Sequence, residues 1–259
     1  VSALCIFLFA LLGVAVGSFL NVCIDRLPRR ESLLFPASHC EVCHHPLGVK
    51  DLVPLLSYLF LRGRCRYCHC PLSPRLPLVE FVTATIFALF YWRYGLSPEL
   101  GVMLFYSCLF LIVFFIDLEH GLILNLLVYP AMVVALLLAL FVPQRWLVQW
   151  LVAGVGNAAL GGAVGFTIFF LIALASRGGM GWGDVKLAGL IGLATGFPLV
   201  LVSIFLAALC GGAVAVALLG ARKKTRHQTI PFGPFLASAA LVTLLWGRDI
   251  LTWYLALLR

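Results

Sequence analysis

Long apolar blocks alternate with short polar stretches along this chain. The blocks fall at about 3–24, 79–95, 101–117, 122–142, 151–175, 185–197, 199–219 and 231–246 or longer. An α-helix crosses a bilayer core with about 20 residues at ~1.5 Å each, so most of these blocks read as spans. Residues 185–197 are too short to cross alone; they are expected to form a half-span ending at Phe197-Pro198 or to be helped by neighbours. One sizeable polar insertion interrupts the pattern. The pattern predicts an all-α polytopic membrane protein of about eight transmembrane helices. Helix 1 occupies 1–24, a small polar module 25–78, and helices 2–8 the remaining 79–259. Glycines at helical spacing (Gly154, Gly161, Gly165 and Gly189, Gly192, Gly196) are expected to let helices pack closely in lipid.

Composition agrees with the pattern. Of 259 residues, 63% are hydrophobic and 11% charged, a balance that no soluble domain hides. The first block has no basic residues before it, and Arg26, Arg29 and Arg30 follow it. That order predicts a retained anchor rather than a cleaved signal, with the N-terminus outside. The net charge of +8 reports topology before it suggests any nucleic-acid partner, and none is expected. Under this topology fourteen of the eighteen Lys/Arg share one side: those of 25–78, then Arg177, Lys186, Arg222, Lys223, Lys224 and Arg226. The other side receives Arg93, Arg145, Arg248 and Arg259. The positive-inside rule then places the polar module in the cytoplasm and both termini outside.

Candidate chemistry gathers at two aspartates. Asp184 sits in Gly178-Gly179-Met180-Gly181-Trp182-Gly183-Asp184, where one apolar helix ends and another begins. Gly181 and Gly183 leave room for backbone or substrate to approach the carboxylate. Asp117 ends the block Leu109–Ile116. Charged groups at membrane boundaries are costly and mark function by default. The predicted topology puts both aspartates on the cytoplasmic side, as a candidate acid–base pair. Taken alone, Gly181-Trp182-Gly183-Asp184 also fits a flexible turn with a solvated capping aspartate.

The second cluster lies in the polar module. Cys40-Glu41-Val42-Cys43 and Cys65-Arg66-Tyr67-Cys68 are two Cys-x-x-Cys turns separated by 21 residues. Each turn can present two thiolates to one ion, and two complete a tetrahedral sulfur site for structural zinc. In a cytoplasmic loop zinc is favoured over disulfides. His39, His44, His45, His69 and Cys70 crowd the same knuckles as substitute ligands or solvated neighbours.

These residues together resemble the bifunctional type IV prepilin peptidases, the leader peptidase/N-methyltransferases, along nearly the whole chain. The resemblance rests on Gly17-Ser18-Phe19-Leu20-Asn21-Val22 through Arg26-Leu27-Pro28, and on the paired Cys-x-x-Cys turns. It continues through Pro54-Leu55-Leu56-Ser57-Tyr58, Arg62-Gly63-Arg64-Cys65 and Pro77-Leu78-Val79-Glu80. Ile116-Asp117-Leu118-Glu119-His120, the Gly-x-Gly-Asp motif ending at Asp184, and Pro231-Phe232-Gly233-Pro234-Phe235 complete it. The resemblance implies an intramembrane aspartic protease of the bacterial inner membrane with Asp117 and Asp184 as its catalytic pair. Its substrates would be prepilins and pseudopilins, cut after a glycine before the apolar pilin helix. Relatives with the cysteine module also methylate the new N-terminal amine with S-adenosylmethionine. Glu80 is a candidate for the methyl-transfer site or for binding a substrate amine. The chain departs from the family pattern at Leu124-Asn125, where Pro-Asp or Pro-Asn is usual, and at Glu41 and His44, where proline and glycine are usual.

Two other classes fit part of the pattern. A proton-coupled transporter can use intramembrane Asp117 and Asp184 as carriers. A non-catalytic assembly factor can use the cysteine module as a docking platform.

Overall fold

A computed structural model describes residues 3–141, 154–176, 179–220 and 231–258. The expectations placed on Arg145, Arg177, Gly178, Arg222, Lys223, Lys224, Arg226 and Arg259 lie outside the described residues. The described chain is helical: α1 Ala3–Arg29, α2 Leu56–Phe60, α3 Arg75–Tyr94, α4 Pro98–His120, α5 Asn125–Phe141, α6 Val155–Ala175, α7 Trp182–Thr195, α8 Leu199–Gly220 and α9 Gly233–Leu257. Six of these are long and apolar enough to cross a membrane: α1, α3, α4, α6, α8 and α9. The described residues thus hold six helices of spanning length rather than the expected eight or so; α5 is apolar but shorter, and α7 has only 14 residues. The protein is a multi-pass membrane protein.

The chain divides into two compact units, Val1–Leu104 and Phe105–Arg259, with the division inside α4. In the first unit α1 packs along α3. Glycine makes the approach possible: a Cβ on Gly13 would lie 2.7 Å from Ala84 Cα, and one on Gly17 2.7 Å from Glu80 Cα. Phe9 stacks on Tyr91 across the same seam, with centroids 4.5 Å apart. At the end nearest the polar module the seam is tied by polar contacts. Asn21 donates to the Leu76 carbonyl at 3.0 Å, and Arg75 pairs with Asp25 at 2.6 Å. Helix α1 runs on past the expected boundary at 24 to Arg29. Arg26 then donates to the Ser32 and Pro36 carbonyls, which anchors the first stretch of the module to the helix.

In the second unit α7 is the central element. At ~1.5 Å per residue its 14 residues span about 21 Å, less than a bilayer core of ~30 Å. Val185 and every residue from Leu187 to Thr195 are buried. A helix that is apolar all round is an interior helix, and α5, α6, α8 and α9 all contact this one. Protein neighbours thus supply the apolar surroundings that lipid supplies to a full span. The closest seam joins α6 to α7, where Cβ atoms on Gly161 or Gly192 would collide with the opposing backbone. Gly165 makes the same approach to Ala188. Four of the glycines expected to serve packing do so. Gly196 lies on the same seam, its Cα 2.7 Å from where a Cβ on Gly161 would stand, and it also ends α7, with φ of 72°, before α8 begins at Leu199.

Candidate active site and metal centre

The second unit brings the two aspartates together. Asp117 lies in the last turn of α4, four per cent exposed, and Asp184 lies in the first turn of α7. They are close enough for the charge on Asp117 to act directly on Asp184. Asp184 is also held by its own helix start: Gly181 occupies the N-cap position, and its backbone N–H donates to the Asp184 carboxylate. In return the Asp184 N–H donates to the Gly181 carbonyl at 3.1 Å. A carboxylate three residues past the cap, reaching back to the cap amide, is a capping-box contact.

Gly181 and Gly183 have different surroundings. A Cβ on Gly181 would stand 3.6 Å from Asp184 Oδ2, an ordinary contact. One on Gly183 would meet the Ile123 side chain at 2.9 Å. Gly183 therefore lets the start of α7 close against the segment that follows α4.

A residue given no role by sequence reasoning is part of this site. The Gly233 backbone N–H, at the start of α9, donates to Asp117, and a Cβ on Gly233 would collide with the Asp117 carboxylate. Phe232 holds this corner in place. Its ring packs between Phe169 and Phe235, with centroids 6.0 Å from each, and its edge covers Gly211. Asp117 Oδ2 is buried without a hydrogen-bond partner among the described residues. A buried acceptor left open is costly in a purely structural role and is suited to a proton or a substrate group. The available signal was a glycine between two prolines opening a helix; only contact with Asp117 gives it meaning. Gly233→Ala should displace the Asp117 carboxylate and lower any activity of this site by about 100-fold. A wild-type rate in a variant of unchanged thermal stability would refute that role.

Glu119 and His120 are exposed beyond Asp117. Lys186 does not pair with Asp184. Its Nζ donates to Asn125 Oδ1 at 2.9 Å and lies 5.2 Å from the Tyr129 ring centroid, linking α7 to α5. The Leu124-Asn125 departure thus still supplies a polar partner to the helix carrying Asp184.

The candidate metal centre lies in the first unit. The ligand sulfurs of Cys40, Cys43, Cys65 and Cys68 all lie within 4.8 Å of one another. Four sulfurs at ~2.3 Å from a tetrahedral zinc stand ~3.8 Å apart, so the cluster fits this ion. None of His39, His44, His45 or His69 belongs to the group. The backbone prepares the site as well: an amide N–H of Cys43 helps lower the Cys40 thiol to about 6, toward the thiolate that binds metal.

The two knuckles are copies of one turn. Cys40 N–H donates to the His45 carbonyl and Cys65 N–H to the Cys70 carbonyl; His44 N–H returns to Cys40 and His69 N–H to Cys65. His44 and His69 both take positive φ, 54° and 56°. Asp51 braces the second knuckle by accepting from Arg66 Nε at 2.5 Å and Tyr67 at 3.2 Å. The Arg66 hydrogen bond holds the Asp51 carboxyl below its ordinary value of 3.8. A depressed carboxylate stabilises the fold above its unfolded value and loses that contribution as pH falls through the folded one. The brace should therefore persist at pH 5 to 7 and release only under more acid conditions. A carboxyl-carbon NMR titration of Asp51 with a midpoint above 4 would contradict this.

Glu80 is buried where α3 meets the module. Its Oε2 accepts the Leu55 N–H at 2.7 Å, and Ser18 also donates to it. Leu55 is held at φ of 59°.

Comparison with known proteins assigns the class that this arrangement belongs to. Residues 11–94 match the bacterial peptidase A24 N-terminal domain, and residues 103–216 match the type IV leader peptidase family. The chain belongs to the type IV leader peptidase family. Among its relatives is a prepilin leader peptidase/N-methyltransferase of Pseudomonas aeruginosa, 33% identical over 95% of this chain and 91% of the relative. Proteins of the same name from Stutzerimonas stutzeri and Bacillus subtilis are 34% and 31% identical. These matches cover 96% and 94% of this chain, and 93% and 95% of the relatives. No solved structure matches the chain.

Proposed function

We propose that this protein is a membrane-embedded aspartic endopeptidase. It removes the leader of type IV prepilins or pseudopilins after a glycine, and it methylates the amine thereby exposed. The observation that carries the peptidase reading is the meeting of Asp117 and Asp184 at two helix ends, beside an open buried oxygen. Two carboxylates sharing one proton can divide the work. One takes a proton from water while the other donates to the scissile carbonyl, and the roles exchange during the cycle. At ~5 Å and an effective dielectric of ~20, two negative charges repel by roughly 3 kcal/mol, so one shared proton is the stable arrangement. Gly181 and Gly183 would let an extended substrate segment approach Asp184, pairing with backbone as an added strand does.

In this reading residues 25–78 form a zinc-stabilised module inserted after helix 1, and 79–259 carry the helices of the peptidase. The module and both aspartates face the cytoplasm of the inner membrane, with the termini outside. S-adenosylmethionine supplies the methyl group when bound. Glu80, a buried carboxylate beside the module, is the group proposed to meet the amine. Glu80→Gln should lower methylation at least 10-fold while leader release continues. Methylation at the wild-type rate would sink that role.

The test of the whole reading uses the full chain in detergent with a prepilin and S-adenosylmethionine, followed by intact-mass analysis. The expected product has lost its leader and gained one methyl group. Uncut prepilin, with Asp184-dependent proton flux in proteoliposomes, would establish the transporter instead.

A further inference from the structure

The two knuckles of the cysteine module repeat one backbone turn, with equivalent positions 25 residues apart. Cys40 corresponds to Cys65, Cys43 to Cys68, and His44 to His69. The isolated bridges His39 to Pro46 and Arg64 to Pro71 obey the same offset, as do the Leu47 and Leu72 amide bonds. At one position, His45 against Cys70, the difference bears on the metal site itself. The first knuckle has His45, whose ring lies against Tyr67 with centroids 3.7 Å apart. The second has Cys70, whose sulfur borders the ligand cluster, 3.6 Å from Cys40 Sγ and 3.2 Å from Cys68 Sγ.

These distances discriminate between roles. Sulfurs bound to one tetrahedral zinc stand ~3.8 Å apart. Cys40 and Cys68 are 3.8 Å apart, and Cys40 and Cys70 are nearly so at 3.6 Å. Cys68 and Cys70, at 3.2 Å, are too close for both to occupy relaxed corners of the same tetrahedron. Cys70 lies outside the group of four sulfurs that are all within 4.8 Å of one another, but it stands at the edge of that group, beside Cys40 and beside the sulfur it would replace. The knuckle already holds Cys70 in place through the Cys65 N–H bond to its carbonyl, at 2.9 Å.

We infer that Cys70 is an alternative fourth ligand, exchanging with Cys68 on a zinc ion otherwise held by Cys40, Cys43 and Cys65. The exchange forms one zinc–sulfur bond as another breaks, with no change of oxidation state. The departing thiolate remains beside the ion and takes up, through water, the proton that the incoming thiol gives up on binding. The site would therefore tolerate loss of either sulfur, and zinc would move to an external acceptor by a stepwise path.

This inference rests on the zinc reading of the module, and one experiment separates the two. The full chain and the variants Cys68→Ser, Cys70→Ser, Cys68→Ser/Cys70→Ser and Cys65→Ser are purified, and their zinc content and affinity measured by chelator competition. The number of bound thiolates is read from the charge-transfer absorbance of the cobalt-substituted forms. Both single variants at 68 and 70 should keep about one zinc and the four-thiolate spectrum, with affinity lowered less than about 10-fold. The double variant and Cys65→Ser should lose one thiolate from the spectrum and about 100-fold or more in affinity. If Cys68→Ser already matches the double variant, Cys70 is not a ligand and the inference fails. A wild-type chain that binds no zinc would overturn the reading of the module itself. Should Cys68→Ser not fold, zinc transfer to a chelator decides: it should be slower from Cys70→Ser than from wild type, and equal rates would overturn the exchange.

Discussion

Asp117→Asn and Asp184→Asn are each expected to lower leader cleavage about 1,000-fold or more, with little change in the fold. An amide keeps the size of the carboxylate but can neither take up nor release the shared proton. Asp117 is the more sensitive site structurally, because its carboxylate is buried and accepts the Gly233 N–H. Asparagine retains an oxygen for that bond, so a loss of rate without a loss of thermal stability isolates the chemistry. Gly183→Val gives a steric counterpart. Its side chain would strike Ile123, so cleavage should fall while the helices of the unit persist. Single-turnover cleavage followed by gel or mass analysis measures all three. Full activity in either aspartate variant would remove that residue from the mechanism.

Cys40→Ala and Cys65→Ala should have the largest effect on the first unit. Among the described side chains of residues 30–78, only Cys40, Ser57 and Cys65 are buried. Phe35 and Phe60 are 77% and 83% exposed, so the module has almost no apolar core to fall back on. A structural zinc contributes on the order of 10 kcal/mol to folding a small domain of this kind. Either variant should therefore hold zinc about 100-fold or more less tightly and, once chelator removes the ion, open residues 25–78 to protease, and methylation should stop. Zinc analysis beside limited proteolysis measures this. A zinc-free chain whose module resists protease as the wild type does would show that the ion is not structural.

The sequence was most legible where the physics is one-dimensional. Block length separates α4 and α9 from loops without any knowledge of their neighbours, because lipid asks only for a long apolar run. Helix α7 shows where that rule stops. Its 14 residues make sense only once four helices surround it, which is a property of the fold rather than of its composition. The paired Cys-x-x-Cys turns were readable because spacing alone brings two thiols to one ion. Cys70 was visible as a neighbour of those turns, but its distance to Cys68 depends on how the second knuckle closes. Asp117 and Asp184 stood out as charges at apolar boundaries. The contribution of Gly233 did not, since it comes from a third helix more than a hundred residues beyond Asp117. Lys186 likewise found its partner in Asn125 of another helix rather than in its sequence neighbour.

The central claim is that Asp117 and Asp184 work as one proton-sharing unit. It is tested most directly by comparing single-turnover cleavage rates of Asp117→Asn, Asp184→Asn and the double variant against wild type. Residues that act together are strongly non-additive, because removing one already disables the unit. The double variant should therefore cleave within about 3-fold of the slower single variant. A double variant slowed by the product of the two single effects, or a single variant at the wild-type rate, would contradict the claim.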